Sequence, residues 1–334
     1  MNINMREWVK ILIESEQRIG LPIMTHSGIE LLGKTVLDAV KDGATHYQAV
    51  KMLAAKYPSA ASTVIMDLTV EAEAFGAEIH FSDHEVPSVI GRLVSDRESV
   101  EKLQIPKLQT ARIPEYLKAN QLIAAESTKP VISGCIGPYS LAGRLYDMSE
   151  IMMAMYIEPD CIKLLLEKCT TFILQYCKAL KSAGANAVLV AEPAAGLLSN
   201  DACKEFSSVY VKQLVDELQD DNFLVFLHNC GNTGQCTEAM VYTGAAGYHF
   251  GNSMNMVSAL DHCPADALVM GNIDPVSLFK MATADELYQA TWSLLEKTER
   301  YPNFVISSGC DTPPAVPFFN IDMFYKAIAD FNQK

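Results

Sequence analysis

Positive charge is scarce in this chain: 26 lysines and arginines stand against 40 aspartates and glutamates, a formal net charge of −14. Such a surface repels polyanions, which argues against nonspecific binding to nucleic acid or an anionic membrane. A small anionic substrate needs only a local basic or metal site and is not excluded. No apolar run approaches the ~20 residues that a bilayer span requires. The opening MNINMREWVKILIESEQ lacks a signal-peptide pattern, because charged and apolar residues alternate there at helical spacing. The nine cysteines are an odd number and cannot all pair within the chain. Together with the missing export signal they make a reduced, cytoplasmic protein the expectation. There is no G-x-x-x-x-G-K-[ST] loop, no G-x-S-x-G elbow and no H-E-x-x-H helix, and GNSMNM is not a phosphate loop. Phosphoryl transfer and a serine nucleophile therefore have no support. Low-complexity segments, Pro- or Ser-rich linkers and repeats beyond a βα unit are absent too.

What is present is a regular alternation. Hydrophobic residues fill 49 % of 334 positions, enough for a large core and incompatible with a disordered chain. Eight short apolar runs are bounded by turn signals: LPIMTH (21–26), STVIMDL (62–68), KPVISGC (129–135), NAVLVAE (186–192), NFLVFLH (222–228), AGYHFG (246–251), ALVMGNI (267–273) and FVISSG (304–309). Helical patterns separate them, among them 158–183, 201–219 and 283–300; the last opens with Thr283, Asp285 and Glu286, acidic groups that suit a helix N-terminus. Eight strands with intervening helices are the arithmetic of a single (β/α)8 TIM barrel, with a doubly wound sheet second. The expected organisation is one domain over 1–334 with an N-terminal helical extension. An insert near 77–118 begins with a hairpin-like alternation over 77–91.

His228 and Cys230 close the fifth run two residues apart, and Cys310 closes the eighth. A strand places residues i and i+2 on one face, and in a TIM barrel the C-terminal strand ends form the functional rim. One imidazole and two thiolates suit zinc, which takes N and S donors and keeps a position open in catalytic sites. The plain alternative is two small thiols packed in a core beside a bonded histidine. Glu192 ends the fourth run, where it either serves a metal or a base or caps the next turn. Asp67 ends the second run with the same pair of readings. His26 ends the first run, as a substrate contact or a loop tie, and His249 inside AGYHFG belongs to the core or behind the ligands. Cys161, Cys169 and Cys177 recur at a spacing of eight, one face of a helix, and read as core. Cys135 ends the third run and has a place at the rim. Cys236, six residues beyond Cys230, is the nearest competing ligand, and Cys203 and Cys263 have no partner pattern.

Three stretches carry a resemblance: MDLTVEAEAFGAEIHFSDHEVPSV, ISGCIGPYSLAGRL, and MGNIDP with VISSGCDTPPAVP. They resemble the uroporphyrinogen decarboxylase superfamily along almost the whole chain, and that superfamily is a single (β/α)8 barrel. Its decarboxylase branch uses no metal and binds tetrapyrrole carboxylates with an RQAGR element after the first strand. Here that position reads MTHSGIE, with His26 and no arginine, and Ser-Gly-Cys stands where the decarboxylases carry a glycine–histidine pair. Asp67 does match their functional aspartate. The second branch comprises the methylcobamide:thiol (coenzyme M) methyltransferases, whose H-x-C and distant Cys bind zinc; His228, Cys230 and Cys310 match them residue by residue. Many zinc members place an acidic residue after the sixth strand, where this chain reads FGNSMN, so Glu192, water or the substrate is left as fourth ligand.

The resemblance thus implies Zn2+ at His228, Cys230 and Cys310; Asp67 and Glu192 stand as catalytic candidates, and His26 and Tyr139 as substrate contacts. A thiol of pKa about 8.5 is mostly protonated at neutral pH, and zinc coordination removes its proton. The implied reaction moves a methyl group between a corrinoid (cobalamin) carried by a separate protein and a small thiol or methylated substrate, in either direction. This chain lacks the D-x-H-x-x-G run of corrinoid-binding domains. Two alternatives predict no such chemistry: a metal-free decarboxylase-like lyase acting on a tetrapyrrole, and a barrel that only docks a corrinoid protein.

Overall fold

A computed structural model describes residues 3–334. Seven parallel strands form one curled sheet in the order β1 (Ser62–Thr63), β4 (Val131–Ile136), β5 (Ala187–Ala191), β6 (Leu224–Asn229), β7 (Gly247–Phe250), β8 (Leu268–Ile273) and β9 (Phe304–Ser308). Two further strands, β2 (Glu78–His80) and β3 (Ser88–Ile90), make the antiparallel hairpin expected in the insert. Helices fill the crossovers, as parallel pairing requires.

The strands read as continuous apolar runs because both faces are covered. Inward residues, among them Leu189, Leu224, Phe226, Leu268, Met270 and Val305, form one cluster. The alternating Val188, Val190, Val225, Leu227, Val269 and Ile306 pack outward among the helices. The N-terminal helix Met5–Glu14 sends Met5, Val9 and Leu12 into the inner cluster and closes the end where the strands start. Its Met5 N–H bonds the Asp221 carbonyl just before β6.

Two expected strands are shorter than their apolar runs. The first, 21–26, reduces to a single bridge between Gly20 and Ile306. Pro22 offers no N–H to a ladder, and the chain turns into the helix Thr25–Leu31, so His26 is helical rather than at a strand end. The segment nevertheless lies between the two sheet edges. Leu21 N–H bonds the Ile306 carbonyl, Ala60 N–H bonds the Gly20 carbonyl, and the Ser307 hydroxyl donates to the Leu21 carbonyl (2.8 Å). The second run, 62–68, holds strand geometry only over Ser62–Thr63. Ile65 N–H leaves the ladder for Nε2 of the buried His46 (2.9 Å).

The expected helices lie at Pro159–Ser182, at Asn200–Leu218 with a π turn over Lys204–Ser208, and at Ala284–Lys297 under a Thr283/Glu286 capping box. The polar stretch 92–118 holds the helix Arg97–Lys102 and the start of Ile113–Glu126. Among the described residues no helix is long and apolar enough to cross a membrane.

Candidate metal centre

The inward alternation of β6 continues from Leu224 and Phe226 to His228 and then to Cys230, which directs both donors into the mouth of the curled sheet. Cys310 follows β9 and arrives from the far side of β7 and β8. Donor atoms of His228, Cys230 and Cys310 all lie within 4.8 Å of one another, the one such group of three or more among the described residues. Cys310 Sγ stands 3.7 Å from His228 Nε2. The imidazole is buried, and both cysteines are partly open. The two thiols interact: Cys310 pulls the Cys230 thiol below its ordinary pKa, against burial, and Cys310 is itself pushed up by Cys230 and by burial.

A hydrogen-bond chain fixes the imidazole. The Leu21 carbonyl can only accept, so the Ser307 hydroxyl donates to it and accepts from His249 Nε2–H (2.8 Å). Burial, with the neighbouring His228, lowers the His249 pKa and keeps that ring neutral, so its Nδ1 is an acceptor. His228 Nδ1 therefore donates to it (2.8 Å), and the Nε2 lone pair faces the two sulfurs. Histidine ligands are oriented in this way through their other nitrogen. The expectation that His249 belongs behind the ligands fits this position.

Two loops clamp the thiols. A Cβ on Gly251, just after β7, would stand 2.4 Å from the Cys230 carbonyl oxygen, and one on Gly309 would stand 2.5 Å from Asn252 N. The stretch FGNSMN thus supplies backbone contact where an acidic ligand was looked for. Asn272 holds it, donating to the Gly251 (2.8 Å) and Met254 (2.6 Å) carbonyls.

The other expected residues sit elsewhere. Glu192 is buried, and its oxygens accept from Tyr139 N–H (2.8 Å), Ser140 N–H (2.8 Å) and the Ser140 hydroxyl (2.6 Å). It caps the helix Pro138–Tyr146 rather than joining the three donors; burial raises its pKa and these bonds oppose the rise. Tyr139 is fully buried with its hydroxyl on Met155 Sδ (3.1 Å), closed to substrate. Asp67 is buried and paired with Arg112, and it also accepts from Thr69 N–H (2.9 Å) and the Thr69 hydroxyl (2.6 Å). His26 bonds the Thr312 carbonyl through Nδ1 (3.0 Å) and lies 3.4 Å from Asp311 Oδ2, so it ties down the loop that carries Cys310. Burial pulls its pKa down, but Asp311 outweighs this and leaves it raised. Cys236 turns to the Ala195 and Leu198 carbonyls (3.5 and 3.2 Å), away from the donors. Cys135 is buried with its sulfur 3.6 Å from that of Cys177.

Sequence reasoning passed over three charged residues at the mouth. Arg112 bonds Asp67, Glu73, the Thr69 hydroxyl and the Val40 carbonyl. Glu71 is buried; one oxygen accepts from Ile136 N–H (3.1 Å) and the other has no partner. Arg144 is half-buried within the apolar run PYSLAGRLY, where a lone cation was the available signal.

Comparison with known proteins agrees with this architecture. A solved structure described as a methyltransferase from Methanosarcina mazei superposes with a TM-score of 0.88 at 20 % identity, over 98 % of this chain and 99 % of that one, which establishes the shared fold. In sequence the chain is 28 % identical to methylcobamide:CoM methyltransferase MtbA of Methanosarcina acetivorans over 80 % of this chain and 79 % of that one. It is 26 % identical to a uroporphyrinogen decarboxylase of Legionella pneumophila over 83 % and 80 %. The family model described as uroporphyrinogen decarboxylase (URO-D) matches residues 23–331, and the chain belongs to that family.

Proposed function

We propose that this protein is a zinc-dependent methyltransferase, moving a methyl group between a corrinoid carried by a separate protein and a small thiol or methylated substrate. The observation that carries the reading is the group His228, Cys230 and Cys310, with the Nε2 lone pair of His228 held toward two sulfurs. A tetrahedral site with bonds of about 2.0 Å to nitrogen and 2.3 Å to sulfur spaces its donors roughly 3.5 Å apart. The 3.7 Å between Cys310 Sγ and His228 Nε2 fits that spacing. When bound, zinc would supply charge that keeps a coordinated thiol deprotonated at neutral pH. The chain's own residues orient the imidazole through His249 and Ser307, hold the Cys310 loop through His26 and Asp311, and clamp Cys230 through Gly251. Asp67 and Glu192 act in this reading as positioning groups, since their oxygens are taken up inside the protein. The seven strands and the Gly20–Ile23 seam fit an eight-membered (β/α)8 barrel forming one domain, with the corrinoid protein meeting its C-terminal rim. The likeness to a methylcobamide:CoM methyltransferase supports the corrinoid and the thiol.

Elemental analysis of purified protein tests the reading. The expected result is near one zinc per chain, lost in His228→Ala and in Cys310→Ser, followed by thiol methylation from methylcobalamin. Protein that holds no zinc and takes none up on addition overturns it and returns attention to the metal-free lyase.

A further inference from the structure

The run MGNIDP ends β8, and the metal centre as described accounts only for its asparagine. Four consecutive residues of the run meet the two loops that bear the thiols. Gly271 lets β8 close on the exit of β7: a Cβ there would stand 2.8 Å from the Phe250 carbonyl oxygen. Asn272 donates to the Gly251 and Met254 carbonyls (2.8 and 2.6 Å). The Ile273 carbonyl accepts from Gly309 N–H (2.7 Å), next to Cys310. Asp274 divides its oxygens. Oδ1 accepts from Val276 N–H and Ser277 N–H (2.8 Å each), the ordinary cap of an aspartate on its own turn. Oδ2 accepts from the side-chain amide of Asn252 (2.8 Å), in a different loop. The turn does not need that second bond.

Asn252 is where the bond ends, and its backbone stands between the two thiol-bearing chains. Gly251 lies against Cys230, where an added Cβ would meet the carbonyl oxygen at 2.4 Å and Cα at 2.7 Å. The next residue, Asn252, lies against Gly309, whose added Cβ would meet Asn252 N at 2.5 Å and Cα at 3.1 Å. Two consecutive residues are thus a spacer, with Cys230 on one side and the neighbour of Cys310 on the other. Asn272 holds the spacer by its backbone and Asp274 holds it by its side chain. Asn252 is exposed and Asp274 half-buried, so water competes for their bond and it adds little to global stability. The carboxylate still makes it a charge-assisted bond with a set direction.

We propose that Asp274 is a positioning residue: through Asn252 it sets the separation of the Cys230 and Cys310 thiols, so that both reach one zinc ion together with His228. The inference rests on the zinc reading and adds to it the part of the fold that fixes how far apart the donors stand. A site works only when its groups are held within about 0.5 Å of the productive geometry. Cys230 and Cys310 both lie just past their strands, outside the ladder that fixes the rest of the sheet. The end of β8 supplies the precision that the ladder no longer gives them.

The test compares zinc affinity, by competition with a chromogenic chelator, in the native chain and in variants that separate the two bonds of Asp274. Asp274→Ser keeps a hydroxyl to cap the turn but is too short to reach Asn252, and Asn252→Ala removes the same bond from its other end. Asp274→Asn keeps the cap, and a turn of the Asn252 amide restores the bond with donor and acceptor exchanged. Asp274→Ser and Asn252→Ala should each bind zinc roughly tenfold more weakly, and their double variant no more weakly than either. Asp274→Asn should stay close to native, and the melting temperature of the metal-free chain should barely move in any of them. Additive losses, or Asp274→Asn as impaired as Asp274→Ser, overturn the proposal. A second readout needs no zinc. Phenylarsine oxide bridges two neighbouring thiols with loss of one water, and the other seven cysteines are buried. The metal-free native chain should capture it at Cys230 and Cys310, and Asp274→Ser and Asn252→Ala should hold it more weakly. Arsenical capture that depends on Asp274 in a chain that takes up no zinc sinks the zinc reading and leaves the spacing role standing. Zinc bound equally by all forms overturns Asp274 and leaves the zinc reading intact.

Discussion

His228 can serve as a ligand because two residues with no sulfur or charge of their own decide where its proton sits. Ser307 and His249 relay the orientation of the Leu21 carbonyl to the imidazole. Ser307→Ala, which hardly changes volume, should weaken zinc binding by about ten- to a hundredfold, read by competition with a chromogenic chelator. Unchanged affinity would show that the relay is idle. Glu71 makes a second residue-scale prediction. Burial raises its pKa from 4.5 to about 7. Below pH 4.5 both states are protonated, and between 4.5 and 7 the unfolded chain releases the proton first, so the group's contribution to stability falls as pH rises and then levels. Glu71→Gln, which cannot ionise, should therefore gain on the native protein between pH 5 and 8 by about 3 kcal/mol, measured by urea unfolding at each pH. The candidate donors were legible because a place at a strand end, and for His228 and Cys230 the i, i+2 spacing, is local information. Tyr139 and Arg144 show the opposite case. They share one motif, and only the packing of its helix decides that the tyrosine is sealed and the arginine half-buried.

At the scale of elements, the loop after β7 acts through its backbone. Gly251 lies so close to Cys230 that a methyl group would meet its carbonyl oxygen and Cα at 2.4 and 2.7 Å. Gly251→Ala should displace Cys230, lower zinc content and cost about 1–3 kcal/mol of stability, although Gly251 ligates nothing. Full zinc occupancy in that variant would refute the clamp. Strands with apolar side chains on both faces, β4 to β9, were readable from composition. The two that shrank were not, because Pro22 and His46 act on the ladder through a missing donor and a competing acceptor. Glu192 was equally unreadable: the helix it caps lies some fifty residues earlier in the chain.

For the whole molecule, donors drawn from the ends of two strands far apart in the chain mean that, in the proposed reading, metal would bind the folded chain and not the unfolded one. Free zinc at a hundred times its dissociation constant should stabilise the protein by about 2.7 kcal/mol, seen as a shift of the urea midpoint that Cys310→Ser lacks. The seam gives that linkage an address. The carbonyl that starts the relay to His228 belongs to Leu21, and the amide of the same residue bonds the Ile306 carbonyl where the first segment meets the last strand. If the three donors hold zinc as proposed, metal uptake and the fastening of the chain's two ends are parts of one equilibrium. Hydrogen exchange at the Leu21 amide should slow when zinc is added, although it takes no part in ligation, making this peptide group a reporter of whether the catalytic mouth is armed.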